Sequence, residues 1–279
     1  MKTSIATVCL SGTLEEKMQA CAAAGFDGIE IFESDLVVSP SSPAEIRALA
    51  DRLGLTLDLY QPFRDLEGVS DELFAKNLQR LEAKFQLMQE LGMDLILVPS
   101  NAGTATVSDD TIIADQLRQA AQLAQRYDMR IAYEALAWGR YVNTYWHSWQ
   151  LVQAADHPNL GVCLDSFHIF SRADDPSRIP EIPAEKIYFV QLADAQDLGM
   201  DLLPWSRHHR VFPGEGSFDM VEFMTYLTEA GYTGPLSLEI FNDVFRETDT
   251  NITAADGLRS LRWIQQSARG RITPDNPVR

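Results

Sequence analysis

The chain changes from apolar to polar within one short stretch, which reads Gly161-Val162-Cys163-Leu164-Asp165-Ser166-Phe167-His168. Its first four residues form a continuous apolar run without alternation, which is typical of a strand buried on both faces of a parallel sheet. The run ends at a carboxylate, and a histidine follows three residues later. We therefore expect a parallel sheet that carries its chemistry at the carboxyl ends of its strands.

Seven further apolar runs repeat this arrangement, with amphipathic stretches between them. They are Ile5–Leu10, Gly28–Phe32, Leu55–Tyr60, Leu95–Pro99, Ile131–Leu136, Ile187–Leu192 and Leu236–Phe241. Eight alternations in 279 residues favour an α/β fold closed into a (β/α)8 TIM barrel. A doubly wound sheet would usually carry a glycine-rich first turn, and neither Gly-x-Gly-x-x-Gly nor a Walker-type loop occurs.

The stretches between the runs carry helix start and stop signals. Thr13 and Glu16 have the spacing of a capping box, and Ser42-Pro43-Ala44-Glu45 offers an N-cap followed by proline. Glycines that suit left-handed C-terminal caps precede four strands, at Gly25, Gly54, Gly92 and Gly231. The longest helices are predicted from about residue 71 to 91 and from about residue 110 to 127.

The chain is predicted to form one barrel domain over residues 1–269. Residues 270–279 carry two prolines and no apolar period, which is typical of a tail or the start of a linker. We expect this segment to lead towards a second domain if one is attached.

Composition limits the class of partner. The formal net charge of −17 and the sequence pI of about 4.6 disfavour nucleic-acid binding, and with it a metal-dependent nuclease. Cys9, Cys21 and Cys163 are scattered and form no disulfide framework, so a reducing compartment such as the cytoplasm is expected. No apolar run approaches the ~20 residues of a membrane span, so no membrane partner is expected.

Four successive strands each place a polar residue inside or at the end of an apolar run. These residues are Glu134, Asp165, Gln191 and Glu239. Equivalent positions on neighbouring barrel strands converge on the axis, and a carboxylate there must be paired, protonated or bound to a cation. Three carboxylates and an amide oxygen suit Mg²⁺ or Mn²⁺, with Co²⁺ as a further choice, better than zinc.

Other polar residues follow the strands on the same face. His168 is predicted to act as general acid or base beside a bound substrate. Arg64, after the third strand, and Arg210, after the seventh, are predicted to hold an anionic group. Asp194 lies beyond the end of the seventh strand, where a capping or turn-forming role is expected.

The whole chain resembles the xylose-isomerase-like barrels, a superfamily of sugar phosphate isomerases, epimerases and dehydratases. The resemblance is carried by Tyr133-Glu134, Asp165-Ser166-Phe167-His168, Pro213-Gly214-Glu215-Gly216 and Leu238-Glu239-Ile240-Phe241-Asn242-Asp243. The second and fourth stretches are similar to those of bacterial 3-dehydroshikimate dehydratases. Many epimerases of the superfamily carry a histidine at the position of Gln191. The glutamine departs from them and resembles one dehydratase branch. Leu136 stands where some dehydratases carry a histidine, so the base role is expected to fall to His168.

The resemblance implies a hydro-lyase that converts 3-dehydroshikimate into protocatechuate, a step of quinate and shikimate catabolism. A metal would stabilise an enolate, while His168, Glu134 and Glu239 would be the catalytic residues. Arg64, Arg210, Ser206 and Tyr60 would bind a small, anionic, cyclic substrate.

Two alternatives and two assemblies stay open. A sugar or inositol-type isomerase, epimerase or dehydratase on the same metal would use Glu134 and Glu239 as its acid–base pair. A non-catalytic binding domain would keep the barrel without its activity. A homo-oligomer and a fused C-terminal domain are both compatible with the sequence; some relatives of the dehydratase branch carry a dioxygenase-like domain after the barrel.

Overall fold

Eight parallel strands close into a barrel in the computed structural model, which describes the backbone of residues 1–272 and the side chains of residues 1–270. Each strand pairs with its neighbours in chain order, and the last pairs with the first. The barrel strands are β1 (Thr3–Ala6), β2 (Gly28–Phe32), β3 (Thr56–Gln61), β4 (Leu95–Pro99), β5 (Arg130–Glu134), β6 (Leu160–Asp165), β7 (Ile187–Leu192) and β10 (Leu236–Leu238). Between β7 and β10, two short strands form an antiparallel ribbon, β8 (Asp194–Ala195) and β9 (Arg210–Val211).

Helices surround the barrel, and short helices extend several of its loops. They are α1 (Leu14–Ala24), α2 (Glu33–Val38), α3 (Pro43–Leu53), α4 (Asp71–Leu91), α5 (Asp110–Arg126), α6 (Tyr145–Ala155), α7 (Ser166–Phe170), α8 (Leu202–His208), α9 (Met220–Glu229), α10 (Asp243–Glu247) and α11 (Thr250–Ile272). Short 3-10 helices cover Thr7–Cys9, Pro176–Glu181 and Ala184–Lys186. No helix within residues 1–272 is long and apolar enough to cross a membrane.

The predicted local signals are confirmed. Both capping boxes form, with Thr13 accepting from the Glu16 amide and Ser42 accepting from the Glu45 amide. The four predicted cap glycines adopt positive φ angles, from 71° to 97°. Helices α4 and α5 begin and end within a residue of their predicted limits, but α11, with 23 residues, is longer than either.

The largest differences from the sequence prediction lie in the first and last barrel strands and in the last helix. The first strand begins at Thr3, and the chain turns into a 3-10 helix at Thr7 instead of continuing to Leu10. The last barrel strand ends at Leu238, so Glu239 follows it directly. Helix α11 continues to Ile272, three residues past the predicted domain limit; residues 273–279 of the predicted tail lie outside the described residues.

The barrel interior is filled by its own small apolar cluster below the polar side chains. It consists of Leu59, Leu95, Leu97, Ala132, Cys163 and Phe189. A much larger apolar layer lies between the strands and the surrounding helices. Because the interior is packed, chemistry is confined to the open ends of the barrel.

Candidate active site

Three carboxylates and a histidine meet at the carboxyl ends of the strands. Glu134 ends β5, Asp165 ends β6, and Glu239 follows β10. Asp165 also begins α7, because its Oδ1 accepts from the Phe167 amide at 2.6 Å, and this short helix carries His168. All four side chains are buried, with 2–5% of each residue exposed.

Part of this group has the spacing of a metal site. Single ligand atoms of Glu134, Asp165 and His168 lie within 4.8 Å of one another. His168 Nε2 is 3.6 Å from Asp165 Oδ2 and 3.8 Å from Glu134 Oε1. Glu134 Oε1 is buried and accepts no hydrogen bond from the residues described. A buried oxygen without a donor beside a second buried carboxylate is an arrangement that can hold a cation.

The Arg210 guanidinium lies inside the carboxylate cluster and is paired with two of its members. It is buried, and Nη1 donates to Asp165 Oδ2 at 2.8 Å and to Glu239 Oε2 at 3.0 Å. Nη2 donates to Ser206 Oγ at 2.8 Å. Burial alone would lower the pKa of Arg210, but Asp165 and Glu239 outweigh it and the pKa is raised. Arg210 is thus paired with the carboxylates and Ser206 with Arg210, while both side chains also line the cavity above the cluster. Their predicted contact with a substrate stays a prediction.

Negative charge exceeds positive charge in the cluster. Burial is the largest cause that raises the pKa of Glu134, followed by the charges of Asp165 and Glu239. Burial also raises the pKa of Glu239, against the opposing charge of Arg210. For Asp165, the charge of Arg210, together with hydrogen bonds from Arg210 and the Phe167 amide, outweighs burial and lowers the pKa. One guanidinium cannot compensate these carboxylates, so the cluster has to take up protons or a divalent cation.

His168 is held as a neutral ring. Its Nδ1 accepts from the Ala137 amide at 3.1 Å, and a neutral imidazole that accepts at Nδ1 carries its proton on Nε2. Arg210 Nη2, at 3.3 Å from Nε2, then faces an N–H group. Burial, opposed by Asp165 and supported by Arg210, lowers the pKa of His168 to about 3. In this tautomer the ring can donate from Nε2, and its predicted role as general acid or base stays a prediction.

Gln191 lies beside Asp165 in the strand register, but its amide contacts a residue that the sequence prediction missed. Gln191 Nε2 donates at 2.7 Å to Oε2 of Glu30, a fully buried residue of β2. Gln61 Nε2 donates to the same oxygen at 2.7 Å. Glu30 was detectable by the rule that found Glu134, since it also is a carboxylate inside an apolar run.

Tyr60, which was predicted as a substrate contact, lies outside the cavity above the carboxylates. Side chains alternate along a strand, so Leu59 and Gln61 point into the barrel and Tyr60 points to the surrounding helices. The Tyr60 hydroxyl donates to Glu33 Oε1 at 3.1 Å. Tyr60 is absent from the residues that line the cavity above the carboxylates.

That cavity carries two arginines on its wall, Arg64 and Arg207. Neither side chain forms an ion pair or hydrogen bond with another described residue. Burial, followed by the charge of Arg64, lowers the pKa of Arg207. Arg207 lies over the rings of Trp138, at 5.7 Å, and Phe241, at 5.0 Å. The sequence prediction missed Arg207 and Trp138, although Arg207 belongs to the polar segment that supplied Ser206 and Arg210.

Asp194 has the structural role that was predicted for it. Its carboxylate accepts from the amides of Ala195, Gly214, Gly216 and Phe218 at 2.8–3.0 Å. A Cβ atom on Gly216 would lie 2.1 Å from Asp194 Oδ1. The Pro213-Gly214-Glu215-Gly216 turn therefore requires glycine for its close approach to the carboxylate.

Sequence and structure comparisons agree with this architecture. Residues 18–266 match the family described as "Xylose isomerase-like TIM barrel". A 3-dehydroshikimate dehydratase of Pseudomonas putida is 54% identical over 99% of this chain and 44% of its own length. A protein of the same name from Neurospora crassa is 30% identical over 97% of this chain and 93% of its own length.

A solved structure described as a xylose isomerase-like TIM barrel/4-hydroxyphenylpyruvate dioxygenase fusion protein has a TM-score of 0.96 and 54% identity. It covers 100% of this chain, which in turn spans 45% of that protein. The chain thus spans about half the length of the Pseudomonas relative and of this fusion protein. From the family match and the full-length fungal relative, we conclude that the chain belongs to the xylose isomerase-like TIM barrel family.

Proposed function

We propose that the chain is a metal-dependent 3-dehydroshikimate dehydratase, a hydro-lyase that forms protocatechuate. The observation that carries this proposal is the 54% identity, over 99% of this chain, to a Pseudomonas putida protein of that name. The Neurospora crassa relative supports the same activity for a barrel of this size, since this chain matches 93% of its length.

The cation would be held by Glu134, Asp165, Glu239 and Gln191. The excess of buried carboxylates over the single guanidinium supports a divalent ion, and the oxygen donors favour Mg²⁺ or Mn²⁺, with Co²⁺ as a further choice. When bound, such an ion polarises a carbonyl oxygen and favours the ionised form of its carboxylate neighbours.

Glu134 and His168 are the proposed groups for the chemistry. Glu134 Oε1 would take the proton from the carbon beside the ketone and return it to the departing β-hydroxyl, which leaves as water. His168 would donate a hydrogen bond from Nε2 to an oxygen on which charge develops. A further proton shift from carbon to the former ketone oxygen makes the ring aromatic, and the atoms of substrate equal those of protocatechuate and water.

Arg64 and Arg207 are the proposed grip on the ring carboxylate. Both line the cavity without a carboxylate partner of their own, in a chain whose net charge is −17. Charge-assisted hydrogen bonds from arginine suit a carboxylate, and Trp138 supplies an aromatic wall beside them.

The test is an ultraviolet assay of the purified chain with 3-dehydroshikimate, after removal of metal and after addition of Mg²⁺ or Mn²⁺. We expect protocatechuate to appear only with the metal. No product from a protein with stoichiometric bound metal would refute the dehydratase. Inososes belong in the same assay, because an inosose isomerase of Bacillus velezensis is 22% identical over 92% of this chain. Turnover of an inosose alone would favour the isomerase alternative.

A further inference from the structure

Glu30 is a buried carboxylate that the proposed chemistry does not use. It is fully buried in β2, inside the barrel. Its Oε2 accepts from Gln61 Nε2 and from Gln191 Nε2, each at 2.7 Å. Gln61 belongs to the adjacent strand β3, whereas Gln191 belongs to β7, three strands away around the barrel. One oxygen atom therefore joins two side chains across the barrel.

This carboxylate is costly for the fold. Glu30 forms no ion pair with Lys or Arg among the described residues. A carboxylate without a cationic partner in a packed interior destabilises the fold unless something compensates it. A purely apolar residue would fill this position at lower cost, so the acceptor is a candidate for a role beyond packing.

The hydrogen bonds fix which way each amide is turned. A glutamine amide has a donor nitrogen and an acceptor oxygen, which exchange places when it flips. Because Nε2 of Gln191 is engaged by Glu30, Oε1 is on the other side, where its partner is the weak donor Cys163 Sγ at 3.4 Å. The oxygen is thus the amide atom that remains available as a ligand.

We propose that Glu30 is a positioning residue that fixes the Gln191 amide with its oxygen free to bind the cation. The proposal rests on the metal site of the proposed function. Without an acceptor at this place, the amide can turn and present N–H groups, which repel a cation. Partners that orient ligands in this way typically change metal affinity by about 10–100-fold.

Two variants separate the position of the acceptor from its charge. Glu30→Gln keeps an oxygen in place for both glutamines and removes the charge. Glu30→Asp keeps the charge and withdraws the acceptor by about one carbon–carbon bond, ~1.5 Å. The measurement is calorimetric titration of each metal-stripped protein with Mn²⁺ alone, after thermal denaturation has confirmed that the variant is folded.

We expect Glu30→Gln to bind Mn²⁺ within about 3-fold of the parent, and Glu30→Asp to bind at least about 10-fold more weakly. Asp58→Asn is the matched control, because Asp58 is a carboxylate of β3 that lines a different cavity, towards the opposite end of the barrel. It should leave Mn²⁺ affinity unchanged.

Three results would overturn the inference: parent-like affinity in folded Glu30→Asp, loss of affinity in folded Glu30→Gln, or no Mn²⁺ binding by the parent. If Glu30→Asp does not fold, Glu30→Met, which removes the acceptor, takes its place and should also bind at least about 10-fold more weakly. None of these titrations contains substrate. Inactivity towards 3-dehydroshikimate with the expected affinities would therefore refute the proposed reaction and leave the role of Glu30 intact.

Discussion

The two ends of the barrel each carry an arginine–aspartate pair, and the two pairs have nearly the same geometry. At the carboxyl end Arg210 Nη1 is 2.8 Å from Asp165 Oδ2, and at the amino end Arg130 Nη2 is 3.0 Å from Asp94 Oδ2. The side chains of the first pair are 1% and 0% exposed, whereas those of the second are 43% and 62% exposed. Distance alone therefore does not distinguish a functional end from a structural one. Burial does, because a charge withheld from water must be compensated by its neighbours.

The largest expected effect of this difference is on catalysis. Glu134→Gln at the carboxyl end should lower kcat/KM for 3-dehydroshikimate by about 10²–10⁴-fold, the usual contribution of a positioned acid or base. Steady-state kinetics at saturating Mn²⁺ measure it. Asp94→Asn at the amino end is the control and should leave kcat/KM unchanged. A similar loss in both variants would mean that the two ends do not differ in the way proposed.

The next effect is on stability. Arg210→Met leaves Asp165 and Glu239 buried without their cation, and should lower the free energy of unfolding by about 3–5 kcal/mol. Arg130→Met breaks a pair that water already screens, so about 0–1 kcal/mol is expected. Urea denaturation of both metal-free variants makes the comparison. Equal losses of unfolding free energy in the two variants would contradict the explanation that burial distinguishes the two ion pairs.

The pH dependence of stability should also differ between parent and Glu134→Gln. Burial, followed by Asp165 and Glu239, raises the pKa of Glu134 on folding. The stability contributed by such a carboxyl is full below its unfolded pKa of about 4.3 and is lost as the pH rises through its folded pKa. In EDTA, the metal-free parent should therefore lose stability relative to Glu134→Gln as the pH rises from about 4. Saturating Mn²⁺ should remove this loss. If the stability of the parent and of Glu134→Gln changed with pH in the same way in EDTA, the expected direction of the effect would be contradicted.

The barrel was predictable because its evidence is local and repeated. Apolar runs, capping boxes and cap glycines lie within single elements, and the predicted caps at Thr13 and Ser42 form as expected. The carboxylates were predictable for a similar reason. A barrel brings the carboxyl ends of its strands together, so one polar residue in each apolar run is enough to predict that these side chains meet.

The division of roles was not predictable, because it depends on contacts between distant segments. Arg210 and Arg207 have the same charge and are neighbours in one loop, yet the first is buried on Asp165 and the second faces the cavity. His168 is recognisable as a candidate, but the amide of Ala137 determines which of its nitrogens carries the proton. Sequence patterns identify the residues of a site, whereas packing determines which of these residues contact each other.

The smallest expected effect concerns Tyr60, one residue from Gln61 in β3 and on the opposite face of that strand. Tyr60→Phe removes the hydrogen bond to Glu33 Oε1 and should lower the free energy of unfolding by about 1 kcal/mol. The values of kcat and KM for 3-dehydroshikimate should stay those of the parent, because the ring does not line the cavity. Arg207→Gln is the contrasting variant: it removes a cation from the cavity wall, so KM should rise while stability changes little. A raised KM in Tyr60→Phe would restore Tyr60 as a substrate contact and would mean that this strand turns its other face to the ligand.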